Sequence, residues 1–504
     1  MNIERLCELK RTREYRRLGT LFTTSRYIYL YDTGTGKVVQ LDEEAQKCFK
    51  VLFDDTIDEY KFRSIVEEIP SINSICKFIQ EENLLCCPAI TKFVGSDALY
   101  TDEMFRCSQL TIELTGKCNL RCKYCIYNDY FDGMRTFNTS NIDFETARKA
   151  IDFVFDHRNE EHLAITFYGG EPLLNFQVMR QCIDYCLEKS APTNLSFSFT
   201  TNLTLMTPEI ADYIAQVPNM SILLSMDGPE EIHNCARVKR DGTGSFKDAF
   251  AGLQVLAAAV NKYKCSKIAF NAVLTPPYTK ERFDAINDFF EELDFLPPDT
   301  EVRATYPAVG SVPDSYYQEL REKGISFNEE TSWNSWAKEK YGNQVDLSKK
   351  KNLHYTVLTG GLVLIQNRRL RETPVGIVPS NGCCAPGKRR LYVCTDGTYK
   401  VCERIGDSPS IGNVDDGVDV RAVKKYYLEE YEAKSLPDCS QCWAVNLCDI
   451  CYAQCYDNAG VNIKEKRKLC PGIRKKNIQY LSDYHEMLES NPETLEEISK
   501  IEIV

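Results

Sequence analysis

The chain has 504 residues, 61 Lys plus Arg against 73 Asp plus Glu, a formal net charge of -12, and 43% apolar and 27% charged residues. This is the composition of a folded chain of about three domains of ~150 residues, and its acidity lacks the basic footprint that nucleic acid binding needs. The opening MNIERLCELKRTREYRR holds no apolar stretch and no apolar run approaches the ~18 residues of a membrane span, so a soluble, cytoplasmic protein with no nucleic acid or membrane partner is expected.

Residues 1–95 read as a small α+β unit. Aromatic and β-branched runs at 21–32 and 37–41 flank Thr33-Gly34-Thr35-Gly36, which predicts a hairpin with an edge open to strand addition by a peptide. Asp42 stands where an N-cap belongs, ahead of Ala45, Cys48, Phe49 and Leu52 at helical spacing, and further helices are expected near 57–69 and 72–84. From 105 to 308, short apolar strands at 110–114, 163–168, 195–200, 222–226, 268–274 and 302–306 alternate with helical stretches such as 144–157 and 246–263. Six βα repeats predict an α/β fold with a parallel sheet, open or curled into a partial barrel, and chemistry at the C-terminal strand ends. Residues 309–378, polar with Trp333 and Trp336, are expected to form a linker or lid. Residues 379–475 are Cys-rich, and a charged helix at 473–488 leads into an acidic tail that closes the region 476–504.

Cysteine is the outlier, with 23 residues. An odd count and no secretion signal disfavour disulfides and favour metal or iron-sulfur ligation. Directly after the first strand of the alternating region comes Cys118-x3-Cys122-x2-Cys125. A 4Fe-4S cubane takes four thiolates, so three on one loop leave one iron open to another ligand. Zinc, with its paired knuckles, is the competing assignment. Tyr168-Gly169-Gly170-Glu171-Pro172 ends the second strand, where two glycines admit close approach of a ligand and the Glu171 carboxylate suits an ammonium. Thr200-Thr201-Asn202 ends the third, and Ser225-Met226-Asp227-Gly228-Pro229 the fourth, followed by Arg237 and Gly242-Thr243-Gly244-Ser245-Phe246.

Together these motifs resemble the radical S-adenosylmethionine (radical SAM) enzymes, and the resemblance implies a partial (β/α)6 barrel, S-adenosylmethionine and a 4Fe-4S cluster on Cys118, Cys122 and Cys125. It also implies cofactor contacts from Tyr124 through its backbone, from Gly169, Gly170 and Glu171, from Asn202 (with Leu203 where the family has glycine), and from Ser225, Asp227 and Arg237. The guanidinium of Arg237 suits the cofactor's carboxylate.

Farther on, Cys384-x12-Gly397-x4-Cys402 precedes Cys439-x2-Cys442-x5-Cys448-x2-Cys451-x3-Cys455 and then Cys470. This resembles the SPASM domain of peptide-modifying radical SAM enzymes, which implies two auxiliary 4Fe-4S clusters and three clusters in all. Cys384, Cys402 and one of Cys451 or Cys455 would serve the first, and Cys439, Cys442, Cys448 and Cys470 the second. The family expects x3 after Cys448, so the choice between Cys451 and Cys455 stays open, and Cys383 and Cys394 are spare thiols. The remaining ten cysteines read as small apolar fillers.

An N-terminal hairpin unit ahead of these two domains looks like the leader-recognition element of enzymes that mature ribosomally made peptides. Cys442-Trp443-Ala444 and Cys402-Glu403-Arg404 are reminiscent of the subset that makes sactipeptide or ranthipeptide thioethers. The resemblance thus implies a Cys-containing precursor peptide with a leader as substrate, a flavodoxin, ferredoxin or reductase as electron donor, and linkage of a substrate Cys sulfur to carbon. Carbon-carbon crosslinking, formylglycine formation on a sulfatase, and an iron-sulfur electron carrier or peptide chaperone are the alternatives. No residue's spacing marks a catalytic base.

Overall fold

The structure, a computed structural model, describes residues 1–94, 105–131, 136–158, 162–342, 348–380 and 383–499. It opens with a helix the sequence reading did not anticipate, Ile3–Thr12, capped by Asn2, whose side chain accepts from Arg5 N at 3.0 Å. Three antiparallel strands follow in the order β1 (Gly19–Thr23), β2 (Ile28–Asp32) and β3 (Val38–Gln40). The run 21–32, expected as one strand, is two. Thr24 Oγ1 accepts from Arg26 N at 3.2 Å and Tyr27 N at 3.0 Å, folding the chain back locally. The expected turn at 33–36 joins β2 to β3. The Asp32 carboxylate fixes it by accepting from Thr35 N and Thr35 Oγ1, both at 2.7 Å, and also takes Leu85 N at 2.8 Å. Asp42 caps the helix Glu43–Phe53 by accepting from Ala45 N, and the helices Glu59–Glu67 and Ile72–Glu81 close a separate core around Leu6, Phe49, Leu52, Phe62 and Ile79.

After β4 (Lys92–Val94) come the six expected parallel strands: β5 (Gln109–Thr115), β6 (Leu163–Gly169), β7 (Leu195–Thr201), β8 (Met220–Ser225), β9 (Ser266–Val273) and β10 (Glu301–Thr305). They lie side by side in chain order. Along β6 and β7, fully buried Leu163, Ile165, Phe167, Leu195, Phe197 and Phe199 alternate with half-buried Ala164, Thr166, Ser196, Ser198 and Thr200. Period two sends the first set to the core and the second to the opposite face. There Gln109 Nε2 donates to Thr166 Oγ1 at 2.6 Å, and Thr166 Oγ1 meets Ser198 Oγ at 2.8 Å.

Two features depart from the sequence reading of the C-terminal half. Residues 309–378 are not an irregular linker: they hold the helices Asp314–Glu322, Trp333–Tyr341 and Leu353–Gln366, the second capped by Ser332, while residues 343–347 lie outside the described residues. The Cys-rich region, read as a stretch of its own, adds strands to the central sheet. β11 (Ile377–Pro379) pairs with β4, β12 (Leu391–Val393) runs parallel beside β5, and β13 (Tyr399–Lys400) runs antiparallel to β12, so the sheet has eight strands. The terminal helix begins ten residues before the expected start, at Ile463, and runs to Ser490 with Pro471 inside it. Proline ordinarily marks a helix start, which explains the short expectation. The acidic tail that follows forms a further short helix, Pro492–Ile498, and residues 500–504 lie outside the described residues.

The N-terminal sheet packs on this helix. Phe22, Tyr29 and Tyr31 share a core with Trp443, Leu447, Leu481 and Met487. Thr33 Oγ1 donates to Trp443 O at 2.9 Å and Asn446 Nδ2 to Thr33 O at 2.7 Å. His485 lies between Phe22 and Tyr29, ring centroids 5.1 and 5.0 Å away. Burial pulls its pKa down to about 4 from 6.5, helped by Arg368, against the Leu481 carbonyl and Glu489. A depressed histidine contributes stability that is present above 6.5 and is lost as the pH falls toward 4. Limited proteolysis should therefore show residues 19–40 becoming more cleavable across that window in the wild type, and His485→Phe should flatten the dependence.

Candidate cofactor and metal site

The C-terminal ends of β5 to β8 converge on the loop that carries Cys118, Cys122 and Cys125. That loop is held from two sides. Arg121 N donates to Val238 O at 2.7 Å and Lys123 N to Ala236 O at 2.8 Å, and Gly170 N donates to Thr115 O and Glu171 N to Lys117 O, each at 2.9 Å. The two glycines serve this contact. A Cβ at Gly169, whose φ is +140°, would stand 2.3 Å from Thr115 O, and one at Gly170 would stand 2.0 Å from Lys117 O. The close approach they permit in this structure is backbone on backbone, between the second strand's end and the Cys loop.

Glu171 is buried and hydrogen-bonded within the protein. Its side chain is 1% exposed, and it accepts from Thr201 Oγ1 at 2.8 Å, Asn202 N at 2.8 Å and Leu173 N at 3.2 Å. With both oxygens engaged, the carboxylate ties β7 to the end of β6. Burial raises its pKa to about 7, against those three donors and Arg237. Asn202 is likewise committed. Its Nδ2 donates to Asn119 Oδ1 at 2.9 Å, and its Oδ1 accepts from Thr204 N at 3.0 Å and Thr204 Oγ1 at 2.6 Å. Leu203, in the glycine position of the motif, adopts φ +67° and is fully buried, so the turn keeps its left-handed form at a side chain's steric cost.

At the fourth strand, Asp227 Oδ1 accepts from Val273 N at 3.0 Å and Oδ2 from the Tyr124 hydroxyl at 2.8 Å, while Arg237 Nη1 donates to that hydroxyl and lies 3.8 Å from Asp227 Oδ1. Asp227 thus holds the Tyr124 hydroxyl, and Tyr124 and Arg237 are joined to it in one buried cluster. Arg237 is 6% exposed and its Nε has no hydrogen-bond partner. A buried guanidinium with a spare donor, near the Cys118 and Cys122 thiols, fits an anionic group such as a carboxylate. Ser225, 9% exposed, ends β8 on the same rim. Burial raises the Cys118 thiol to about 11 and Cys122 to about 12, and the positive charge of Arg237 opposes both shifts. The donor set fits an iron-sulfur cluster, whose binding would displace these protons. The sequence reading missed Asn119, which orients Asn202, and Arg240, whose Nε and Nη2 donate to Cys118 O at 3.1 and 2.7 Å. Only the position of Asn119, inside the Cys triplet, hinted at its use.

The second Cys region resolves into two neighbourhoods. Cys402 feels the charge of Cys451, and Cys451 feels Cys384 and Arg404. Cys455, 2% exposed, faces Cys448, Cys439 and Lys466 as well as Cys451, and Cys383 lies beside it. Cys439, Cys442, Cys448 and Cys470 all line one cavity of about 380 Å³, together with Tyr431 and Lys466. Among the described residues no three Cys, His, Asp or Glu side chains form the tight cage of a single metal ion. A cubane gives each thiolate a different iron and spans a wider ring.

Residues 112–290 match the model of the Radical SAM superfamily. This stretch is a radical SAM domain. The chain is 29% identical over 197 residues to the radical SAM cyclopropyl synthase TigE of Paramaledivibacter caminithermalis, covering 37% of this chain and 38% of that one. It is 24% identical over 373 residues to a cysteine-type anaerobic sulfatase-maturating enzyme of Clostridium perfringens, covering 71% and 92%. The fold is similar to that of anSMEcpe solved with AdoMet and the Kp18Cys peptide, with a TM-score of 0.51 at 18% identity over 78% of this chain and 99% of that one. The chain spans 56%, 38% and 54% of the lengths of the first three curated relatives it matches. No helix among the described residues is long and apolar enough to cross a membrane.

Replacing Cys118, Cys122 and Cys125 together by alanine should lower the iron content of the anaerobically reconstituted protein from roughly twelve to roughly eight per chain and abolish deoxyadenosine formation. Retained cleavage of S-adenosylmethionine would overturn the assignment.

Proposed function

We propose that this radical SAM protein modifies a ribosomally made precursor peptide, joining the sulfur of a substrate Cys to a carbon of another residue. The observation that carries the reading is the combination of a Cys triplet at the end of β5, a Cys-lined cavity in the region that adds β12 and β13 to the same sheet, and an N-terminal sheet whose strand β3 pairs only with β2 among the described residues. In this reading Cys118, Cys122 and Cys125 hold the cluster that chelates S-adenosylmethionine, and Arg237 takes the cofactor's carboxylate. Cys384, Cys402 and Cys451 serve the first auxiliary cluster, and Cys439, Cys442, Cys448 and Cys470 the second. The proximity of Cys451 to Cys384 and Cys402 supports it over Cys455. When bound, these groups supply hydrogen-atom abstraction and a sink for the remaining electron, which a flavodoxin, ferredoxin or reductase delivers at the start. The chain's own part is to exclude water and to hold thiol and acceptor carbon in contact.

Residues 1–94 capture the leader by strand addition to β3. Asp32 N donates to Lys37 O and Leu41 N to Ile28 O, so by antiparallel alternation the N–H groups of Val38 and Gln40 point away from β2. A peptide strand there gains affinity from its main chain. Gln40→Pro removes one outward N–H at no cost to the β2–β3 ladder. It should weaken binding of the precursor peptide several-fold while leaving deoxyadenosine formation without peptide unchanged; equal affinity would refute the site.

Each thioether exchanges one S–H and one C–H bond for one S–C bond. The product should therefore lose about 2 Da per linked Cys, and that Cys should resist alkylation. The name of the TigE relative favours carbon-carbon bond formation as the second reading. The same mass loss with every Cys still alkylatable would establish that instead, and conversion of a thiol to an aldehyde would indicate formylglycine.

A further inference from the structure

Lys466 lies on the helix Ile463–Ser490 one turn before Cys470, on the wall of the cavity that Cys439, Cys442, Cys448 and Cys470 share. It is 3% exposed. Its ammonium donates to the Tyr431 hydroxyl at 3.0 Å and to Cys439 Sγ at 3.6 Å, and stands 4.2 Å from the centroid of the Tyr431 ring. Among the described residues no carboxylate pairs with it, whereas neighbouring Arg467 is matched by Asp438 at 2.7 Å and Arg474 is half-exposed. A buried ammonium without a counter-ion is costly, and here its hydrogen bonds go to a phenol and a sulfur. Its positive charge eases ionisation of five thiols, those of Cys383, Cys439, Cys448, Cys455 and Cys470.

We infer that Lys466 is the fixed counter-charge of the iron-sulfur cluster held by Cys439, Cys442, Cys448 and Cys470, and that it makes this cluster easier to reduce. The inference rests on the auxiliary-cluster reading above. Thiolate ligation leaves a cubane anionic, and one-electron reduction adds a further negative charge. An ammonium donating to a ligand sulfur stabilises the reduced form more than the oxidised form, and a hydrogen bond to sulfur acts in the same direction. Lys466 is thus a positioning residue that sets where the surplus electron of the reaction comes to rest. Tyr431, 4% exposed and hydrogen-bonded to the same ammonium, keeps the charge directed at Cys439.

The test is a redox titration of the full reconstituted chain, followed by electron paramagnetic resonance with dithionite as reductant. Three midpoints and iron near twelve per chain in the wild type bear on the cluster reading itself. Against that reference, Lys466→Met should lower one midpoint and leave the other two in place, and Lys466→Arg, which keeps the charge, should restore it. If Lys466→Met instead fails to assemble one cluster and Lys466→Arg assembles it, the charge is needed already for ligation, which also supports the inference. Three unchanged midpoints in Lys466→Met overturn it while leaving the three-cluster reading intact. Loss of one cluster in both variants also overturns it, because packing and not charge would then be what the site needs.

Discussion

A side chain at position 169 or 170 cannot coexist with the loop that carries Cys118. The backbone of β6 touches the backbone of Thr115 and Lys117 there, at distances only glycine permits. Everything on the rim is placed relative to that contact. With the Cys loop seated on β6, the next residue, Glu171, turns inward and reaches across to Thr201 and Asn202, and Asn202 in turn reaches back to Asn119 inside the Cys loop. The cycle closes on the loop where it began. Groups that read separately in the sequence as cofactor contacts are therefore largely one another's partners, and they preorganise the rim before any ligand arrives.

The electrostatic plan of the two centres is alike. At the barrel rim, buried Arg237 acts on the thiols of Cys118 and Cys122, with Asp227 and the Tyr124 phenol beside it. In the Cys-rich region, buried Lys466 faces five thiols and a phenol. Each cation lowers the cost of thiolate formation in surroundings that otherwise hold thiols protonated. The pattern suits anionic clusters better than apolar packing, because an apolar core gains nothing from an unpaired buried charge.

Sheet continuity connects the centres mechanically. β12 adds directly to β5, whose end carries the first Cys triplet, and Arg390, just before β12, holds Glu403 through two hydrogen bonds of 2.6 and 2.7 Å and Gln109 of β5 at 3.1 Å. The loop after Cys402 is thereby fixed to the first strand. The N-terminal unit is anchored as firmly, through the apolar contact of Phe22, Tyr29 and Tyr31 with the terminal helix.

The order of the six parallel strands, the Cys triplet after the first of them and the motifs at the ends of the next three were legible because each is written in consecutive residues: strand period, apolar runs and short spacings are local properties. The Asp42 cap was legible for the same reason. The three helices within 309–378 were not, since their apolar faces are short and are filled by partners distant in sequence, as Leu362 is by the terminal helix. The joining of β12 to β5 and the burial of Lys466 among thiols were decided by tertiary structure alone. A lysine in a charged stretch, KEKRK, reads as solvated surface; only the packing of the terminal helix against Tyr431 and Cys439 removes one of its cations from water. Likewise Glu171 meets Thr201 and Asn202 only because β7 approaches the end of β6, and no local pattern encodes a neighbouring strand's approach.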